Sequence, residues 1–315
     1  MQRFSRPPRK IFVIGTGSYL GPKQPPGRPG HSDQTDVLSQ LRPVLFSLRI
    51  LGLYSGRREE YGKRPSPWFD HVSPWTCVVL GLLCTYVTAS LASCMNGQFW
   101  AAAFPFLKTG CALVSSQAVI RKEADVCHLA WRLREFPSAC TVTLRTTATV
   151  MATSVWAFVA LRIIIQCMVL LAFTPRELSE HAASAWFGID GQLPRELLLP
   201  LTMLDRALDS ILVDASLFSS MALYLSLAVA LRHRYVAFNA VIERHALRRT
   251  PLESGELKQL MLAHTELGSA VRHLDAGFAP TVFCWVALFV MGVCVEVSRF
   301  LGHRRLGDRF EVVIL

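Results

Sequence analysis

The chain has 315 residues, of which 51% are hydrophobic and only 18% are charged, and its net charge is +10. The apolar residues are gathered into long blocks, which excludes an ordinary water-soluble domain. The positive residues lie beside these blocks, where anionic lipid and membrane topology account for them, so the charge indicates no nucleic-acid partner. The nine cysteines fall mostly inside the apolar blocks and imply no disulfide framework.

The N-terminal part of the chain is predicted to hold one short helix. Residues 1–40 are rich in proline, glycine and polar residues, and we expect them to be disordered. The stretch LRPVLFSLRILGLYSG at 41–56 is apolar with two arginines and is too short to cross a bilayer. It predicts an amphipathic helix at the cytoplasmic face of the membrane, followed by a polar linker up to residue 73.

Five later segments are long and apolar enough to be membrane spans. A span needs roughly 20 mostly apolar residues to cross about 30 Å of hydrocarbon. The fold class is therefore predicted to be all-α, a polytopic helical bundle with spans at about 74–95, 98–120, 147–173, 207–231 and 277–298.

The distribution of lysine and arginine predicts the orientation, because cytoplasmic loops carry the excess of these residues. The first 73 residues hold twelve of them, whereas the loop at 174–206 holds three against five acidic residues. The N-terminus is therefore expected in the cytoplasm. The four arginines of the tail at 299–315 then lie on the unexpected side of the membrane, so that this tail is atypical.

Residues 231–276 predict a cytoplasmic helical hairpin that extends from spans 4 and 5. Thr250 and Glu253 form the signature of a capping box, which starts the second arm after a short turn. That arm carries a heptad seam, which predicts packing against another helix and continues without a break into span 5. The seam consists of Leu257, Leu260, His264, Leu267, Val271, Leu274 and Phe278.

Charged residues deep inside the spans are the candidate ligand site, because each is costly in hydrocarbon unless it is paired or hydrated. They are Lys108 in span 2, Arg162 in span 3 and Asp214 in span 4, and Gln166 shares a helix face with Arg162. One interpretation is a polar pocket that is open to the outside. The other is a buried ion pair that holds spans 3 and 4 together.

No motif in the sequence indicates an enzyme. HExxH, paired CxxC, GxSxG and phosphate-loop patterns do not occur in it. We therefore expect no catalytic residues, no cofactor and no metal ion.

The stretch at 41–56 and the hairpin resemble two signatures of the arthropod gustatory receptors, seven-span relatives of the insect odorant receptors. The stretch is similar to their N-terminal Leu-Pro and Leu-Gly-aromatic pattern. Leu274-Asp275-x-x-Phe278 is similar to their step into span 5, with Asp in place of Asn. The resemblance implies a plasma-membrane subunit of a tetrameric ligand-gated cation channel that binds a small-molecule tastant, surrounded by membrane lipid, in a homo- or hetero-oligomer.

Two further spans of that family, the last of which lines the pore, have no counterpart in this chain. Thr85-Tyr86 lies in span 1 and lacks the Gln-Phe that follows it in the family signature. We therefore expect a truncated form that does not conduct alone. The alternatives are a fragment of a secondary transporter and a structural or scaffolding membrane protein.

Overall fold

The computed structural model of the chain describes residues 37–54, 73–95, 99–134, 141–179, 194–248 and 254–305. Helices are the regular elements in these ranges, and no strand occurs in them. In chain order they are α1 (Val37–Ile50), α2 (Pro74–Met95), α3 (Phe99–Arg134), α4 (Thr141–Ala172), α5 (Arg195–Asp209), a π-helical turn (Ser210–Asp214), α6 (Ala215–Arg248) and α7 (Ser254–Arg305).

The prediction of an all-helical chain with five membrane-length helices is confirmed for the described residues. The boundaries differ from the predicted spans. α3 continues to Arg134, and α5, the π-turn and α6 follow one another directly from Arg195 to Arg248. The last part of the predicted loop at 174–206 is therefore helical. This occurs because its apolar residues recur at helical spacing and Leu198 packs in a small core with Leu170 and Leu178.

A capping box starts a short helical turn directly after α4. The backbone N–H and the hydroxyl of Thr174 donate hydrogen bonds of 2.7 and 2.8 Å to the Glu177 carboxylate, and Pro175 occupies the first helical position. These bonds, the backbone one first, hold the pKa of Glu177 below its ordinary value. The chain therefore turns sharply where α4 ends.

α1 is packed into the bundle along its apolar side. Val37, Leu41, Val44 and Leu48 recur at helical spacing and are all buried, and the helix lies against α3, α4 and α6. The helix begins inside the segment 1–40 that composition predicts to be disordered, and residues 1–36 lie outside the described ranges. Neighbouring helices therefore cover the face that the sequence assigned to a membrane surface.

A hydrogen bond between α1 and α4 provides a prediction about this docking. The Trp156 indole N–H donates to the Ser47 hydroxyl at 3.0 Å. We expect Trp156→Phe and Ser47→Ala each to lower the free energy of unfolding, with a coupling of about 1 kcal/mol between them. Thermal unfolding of the two single variants and the double variant in detergent measures it. If the effects of the two substitutions on the free energy of unfolding were strictly additive, this would contradict the packing of α1 on α4 through this hydrogen bond.

α1 ends in a glycine turn. Gly52 has a φ of 70°, the left-handed region that favours glycine. The Leu53 N–H donates to the Leu48 carbonyl at 2.8 Å, and the Gly52 N–H donates to the Arg49 carbonyl at 3.0 Å. This pair of bonds is the Schellman motif, which satisfies the last carbonyls of a helix.

The same turn is seated on the first residues of α2. The Trp75 indole N–H donates to the Ile50 carbonyl at 3.0 Å, and the Thr76 hydroxyl donates to the Gly52 carbonyl. A side chain at position 52 would meet the Trp75 ring, since a Cβ there would lie 2.7 Å from its Cδ1. The glycine is therefore required both by its backbone angle and by the close approach of α2.

α3 and α6 run in the same direction through the bundle. Lys108 of α3 contacts Asp214, which directly precedes α6. Farther along the two helices, Ser115 and Tyr224 both contact Trp285 of α7. The residue numbers rise together on both helices, so the two are parallel.

α6 is the central helix of the bundle. It packs against α1, α3, α4 and α7. In the apolar stretch of the candidate span that contains α6, 67% of the residues are buried. In the apolar stretches of α2, α4 and α7, only 17% of the residues are buried. The outer helices therefore present apolar side chains to lipid, and the buried residues of α6 form the interior.

α7 is helical over 52 residues, including Pro280. This agrees with the predicted passage from the seam into span 5 without a linker. α6 and α7 pack against each other, with ring contacts at 5.6 Å between Tyr224 and Phe278 and at 6.0 Å between Phe238 and His264. The connecting residues 249–253, and with them the predicted cap at Thr250 and Glu253, lie outside the described ranges.

The predicted seam is buried at one end only. Leu267, Leu274 and Phe278 are buried, whereas Leu257 is 49% exposed and His264 is exposed. Leu260 and Val271 are half-buried. The seam thus packs against its own chain near the membrane-length part of α7 and is open near Ser254.

Candidate functional site: a buried ion cluster

Four charged side chains from α3, α4 and the α5–α6 helix meet in the interior of the bundle. Lys108 Nζ lies 2.8 Å from Asp214 Oδ1, and Arg162 Nη1 lies 2.9 Å from Asp214 Oδ2. A second carboxylate, that of Asp209, has its Oδ2 atom 3.5 Å from Lys108 Nζ. The two positive and two negative charges balance, which lowers the cost of holding them in an apolar bundle.

Asp214 is the centre of the cluster. Its side chain is 1% exposed, and each of its two oxygens forms an ion pair with a cation from a different helix. The side chains of Lys108 and Arg162 are 9% and 20% exposed. A change at this carboxylate therefore acts on the packing of three helices together.

The π-helical turn Ser210–Asp214 sets the position of Asp214. The N–H of Ala215 bonds to the Ser210 carbonyl, five residues earlier, which is the π-type hydrogen bond. In an α-helix, positions 209 and 214 would point about 140° apart. The wider turn brings both carboxylates onto Lys108, and such turns often occur at functional sites.

Hydrogen bonds surround the cluster. Ser210 Oγ donates to Gln166 Oε1 at 3.0 Å, which places the predicted Gln166 beside the π-turn. The Tyr86 hydroxyl of α2 donates to Asp205 Oδ1 at 3.0 Å, one turn before Asp209. Four helical segments, α2, α3, α4 and α5–α6, are thus tied together by polar contacts at this level.

The four residues that the sequence singled out, Lys108, Arg162, Gln166 and Asp214, therefore lie together. Of the two interpretations, the ion pair between spans 3 and 4 is present, and Lys108 adds a second pair. Sequence reasoning missed Asp209, because an acidic residue near a span end has an ordinary explanation in solvent. Asp205 was missed for the same reason, and Tyr86 was missed because a neutral side chain inside a span needs no charged partner.

The aromatic residues of the spans pack mostly with one another. Phe158 and Phe218 are 5.1 Å apart in an edge-to-face pair, and Tyr224 and Trp285 are 5.9 Å apart. Phe289 is 74% exposed and points away from the bundle interior. Among the described residues, no three His, Cys, Asp or Glu side chains are grouped as a metal site requires.

A scan against protein-family models, a search of curated proteins and a search of solved structures each found no match to this chain. The class of protein therefore follows from the structure of the described residues alone. They form an all-helical protein with five helices long and apolar enough to cross a membrane, which indicates a multi-pass membrane protein.

Proposed function

We propose that the chain is a chemosensory receptor subunit of the gustatory type, which binds a small-molecule tastant from the extracellular side of the plasma membrane. The observation that carries the proposal is Asp214, held at 2.8 and 2.9 Å by cations from two other helices. A ligand that engages one of these charges changes the packing of α3, α4 and α6 together. Its binding energy can then favour one of two arrangements of the bundle.

The resemblance of 41–56 and of the hairpin to gustatory receptors also supports this function. In that family the cytoplasmic helices assemble four subunits into a ligand-gated cation channel. The open end of the seam at Leu257, with exposed Met261 and Leu247 nearby in sequence on the two arms, supplies apolar surface for such an oligomer. We propose that the hairpin and the N-terminus lie in the cytoplasm, as the distribution of lysine and arginine favours.

Binding to the purified protein tests the proposal. The chain in lipid nanodiscs is incubated with a library of sugars, alkaloids and amino acids, and the retained compounds are identified by mass spectrometry. We expect at least one compound to be retained by the natural chain and lost by Arg162→Gln, which removes one charge of the cluster. Arg145→Gln, an exposed position on the same helix, is the matched control and should keep the compound.

Retention that is equal in Arg162→Gln and the natural chain would contradict a ligand site at the cluster.

A second candidate function is secondary transport, which the π-turn beside a buried carboxylate favours, since transporters place charged groups at irregular helix segments. Uptake of a retained compound into proteoliposomes would indicate transport. Retention without uptake supports the receptor.

A further inference from the structure

α1 has a second face, opposite the one that packs into the bundle. Four side chains of this second face are exposed, and we call them the arginine face: Arg42, Phe46, Arg49 and Ile50. At 3.6 residues per turn they lie within about 100° of the helix circumference. They therefore form one continuous stripe on the outside of the bundle.

The positive charge of the arginine face is not balanced by the protein around it. α1 contains no acidic residue. Within the described ranges, neither Arg42 nor Arg49 forms an ion pair. The two positions are seven residues apart, which is roughly 10 Å along the helix. An anion that approaches this side of α1 thus meets the donors of two guanidinium groups.

Exposed apolar side chains accompany the two arginines. Phe46 is 62% exposed and Ile50 is 47% exposed. A small soluble anion would leave these side chains in water, whereas a lipid supplies both an anionic headgroup and acyl chains. Helices that present apolar and basic side chains together are typical of the membrane interface, where the basic ends reach the headgroups.

The packing of α1 places the end of the arginine face beside the start of a membrane span. The Ile50 carbonyl accepts the indole N–H of Trp75, in the first turn of the candidate span Pro74–Ala92. Trp75 is itself 52% exposed, and tryptophan is enriched at the level of the lipid headgroups. Arg49, next to Ile50 in the chain, therefore lies near the level at which phosphate groups are found.

We propose that the arginine face binds an anionic phospholipid, with the phosphate at Arg42 and Arg49 and the acyl chains against Phe46 and Ile50. A guanidinium group forms paired hydrogen bonds with phosphate oxygens. Phosphatidylserine keeps a net negative charge, whereas the choline of phosphatidylcholine cancels the charge of its phosphate. The arginine face therefore selects the anionic lipid, and this binding requires neither a tastant nor the ion cluster.

A lipid bound at this face stabilises the bundle as well as α1. The opposite side of α1 packs against α3, α4 and α6, so the arginine face exists in this form only while the bundle is folded. A ligand that binds the folded state alone raises the unfolding temperature. With the N-terminus in the cytoplasm, as proposed above, the lipid belongs to the cytoplasmic leaflet, where anionic lipids are concentrated.

Native mass spectrometry of the full chain tests the proposal. The protein in detergent is titrated with phosphatidylserine or with phosphatidylcholine, and the bound lipids are counted. We expect phosphatidylserine to bind roughly thirtyfold more tightly, the factor for two arginines that face an anionic headgroup. The double variant Arg42→Gln, Arg49→Gln should lose this preference. The control Arg244→Gln, Lys258→Gln removes the same charge from exposed positions on α6 and α7 and should keep it.

Thermal unfolding gives a second measurement. In lipid-free detergent, Arg42→Gln, Arg49→Gln should unfold at the same temperature as the natural chain, because both side chains are exposed. Phosphatidylserine should raise the unfolding temperature of the natural chain more than phosphatidylcholine does, and this difference should vanish in the double variant.

Four outcomes would overturn the proposal. The first is equal binding of the two lipids by the natural chain, and the second is a preference that survives in Arg42→Gln, Arg49→Gln. The third is an equal loss of preference in the control variant, which would indicate a general effect of charge. The fourth is displacement of phosphatidylserine by soluble glycerophosphoserine, which would show that the face binds a free headgroup and not a lipid.

Discussion

Replacing Asp214 with asparagine is expected to lower the free energy of unfolding by about 3–5 kcal/mol, the largest single effect in this chain, because it leaves buried cations without their counter-charge. Asp214 is 1% exposed and pairs with both Lys108 and Arg162. Asp209, at 3.5 Å from Lys108, can replace only part of the lost interaction. Thermal unfolding of the purified protein in detergent, followed by size-exclusion chromatography, measures the loss.

A surface ion pair of the same chain gives the matched control. Lys122 and Asp125 are 2.9 Å apart, close to the 2.8 and 2.9 Å of the two pairs that Asp214 makes, but their side chains are 38% and 56% exposed. Asp125→Asn should therefore cost less than about 1 kcal/mol. Equal unfolding temperatures for Asp214→Asn and Asp125→Asn would show that the cluster does not hold the helices together.

Replacing Gly52 with alanine is expected to lower the free energy of unfolding by about 2–4 kcal/mol. Part of the cost is the left-handed backbone angle of 70°, and part is the close approach of a new Cβ to the Trp75 ring. The turn also carries the hydrogen bonds that seat α1 on α2, so both helices should loosen. Increased cleavage by protease within 37–54, read by mass spectrometry, locates the effect.

Gly268 is the matched control for this substitution. It lies inside α7, and a Cβ there meets no atom within 4 Å. Because alanine restricts the unfolded chain and favours the helix, Gly268→Ala should stabilise the protein by about 0.5–1 kcal/mol. The two identical substitutions are thus expected to have opposite signs, and a shared sign would contradict the role assigned to Gly52.

The membrane-length helices and the charged residues of the site were predictable from the sequence. Long apolar blocks leave few alternatives to spans, and a charge inside such a block needs a partner, so that Lys108, Arg162 and Asp214 stand out without any knowledge of the fold. Their pairing was not fixed by this reasoning. Which cation reaches which carboxylate depends on the rotation of each helix, and the sequence pattern does not specify that rotation.

The contribution of Asp209 could not be predicted for a different reason. Helical periodicity places it and Asp214 on different faces, and only the π-turn between them brings both to Lys108. Such a turn depends on tertiary packing and leaves no mark in the spacing of apolar residues. Similarly, nothing in the composition of 37–40 indicates that the first turn of α1 is buried.

Two capping-box patterns in the sequence show the opposite case, in which the start of a helix can be recognised from a few neighbouring residues. Thr174-Pro175-x-Glu177 and Thr250-Pro251-x-Glu253 follow the same pattern. The first was overlooked inside a predicted loop, yet its hydrogen bonds are formed at 2.7 and 2.8 Å. A search for the pattern alone would have placed a helix start after Thr174.

The π-turn also has a consequence for how this gene can change. It holds one residue more than the α-helical turn that would replace it. Deleting a single codon from 210–213 would convert the turn to α-helix and leave the later positions, Ser216, Ser219 and Tyr224 among them, on their present faces. The two carboxylates would then occupy positions i and i+4 on one face of the helix. Homologues with a one-residue gap at this turn should therefore keep the ionic centre, whereas the same gap farther along the helix would rotate every later position by about 100°.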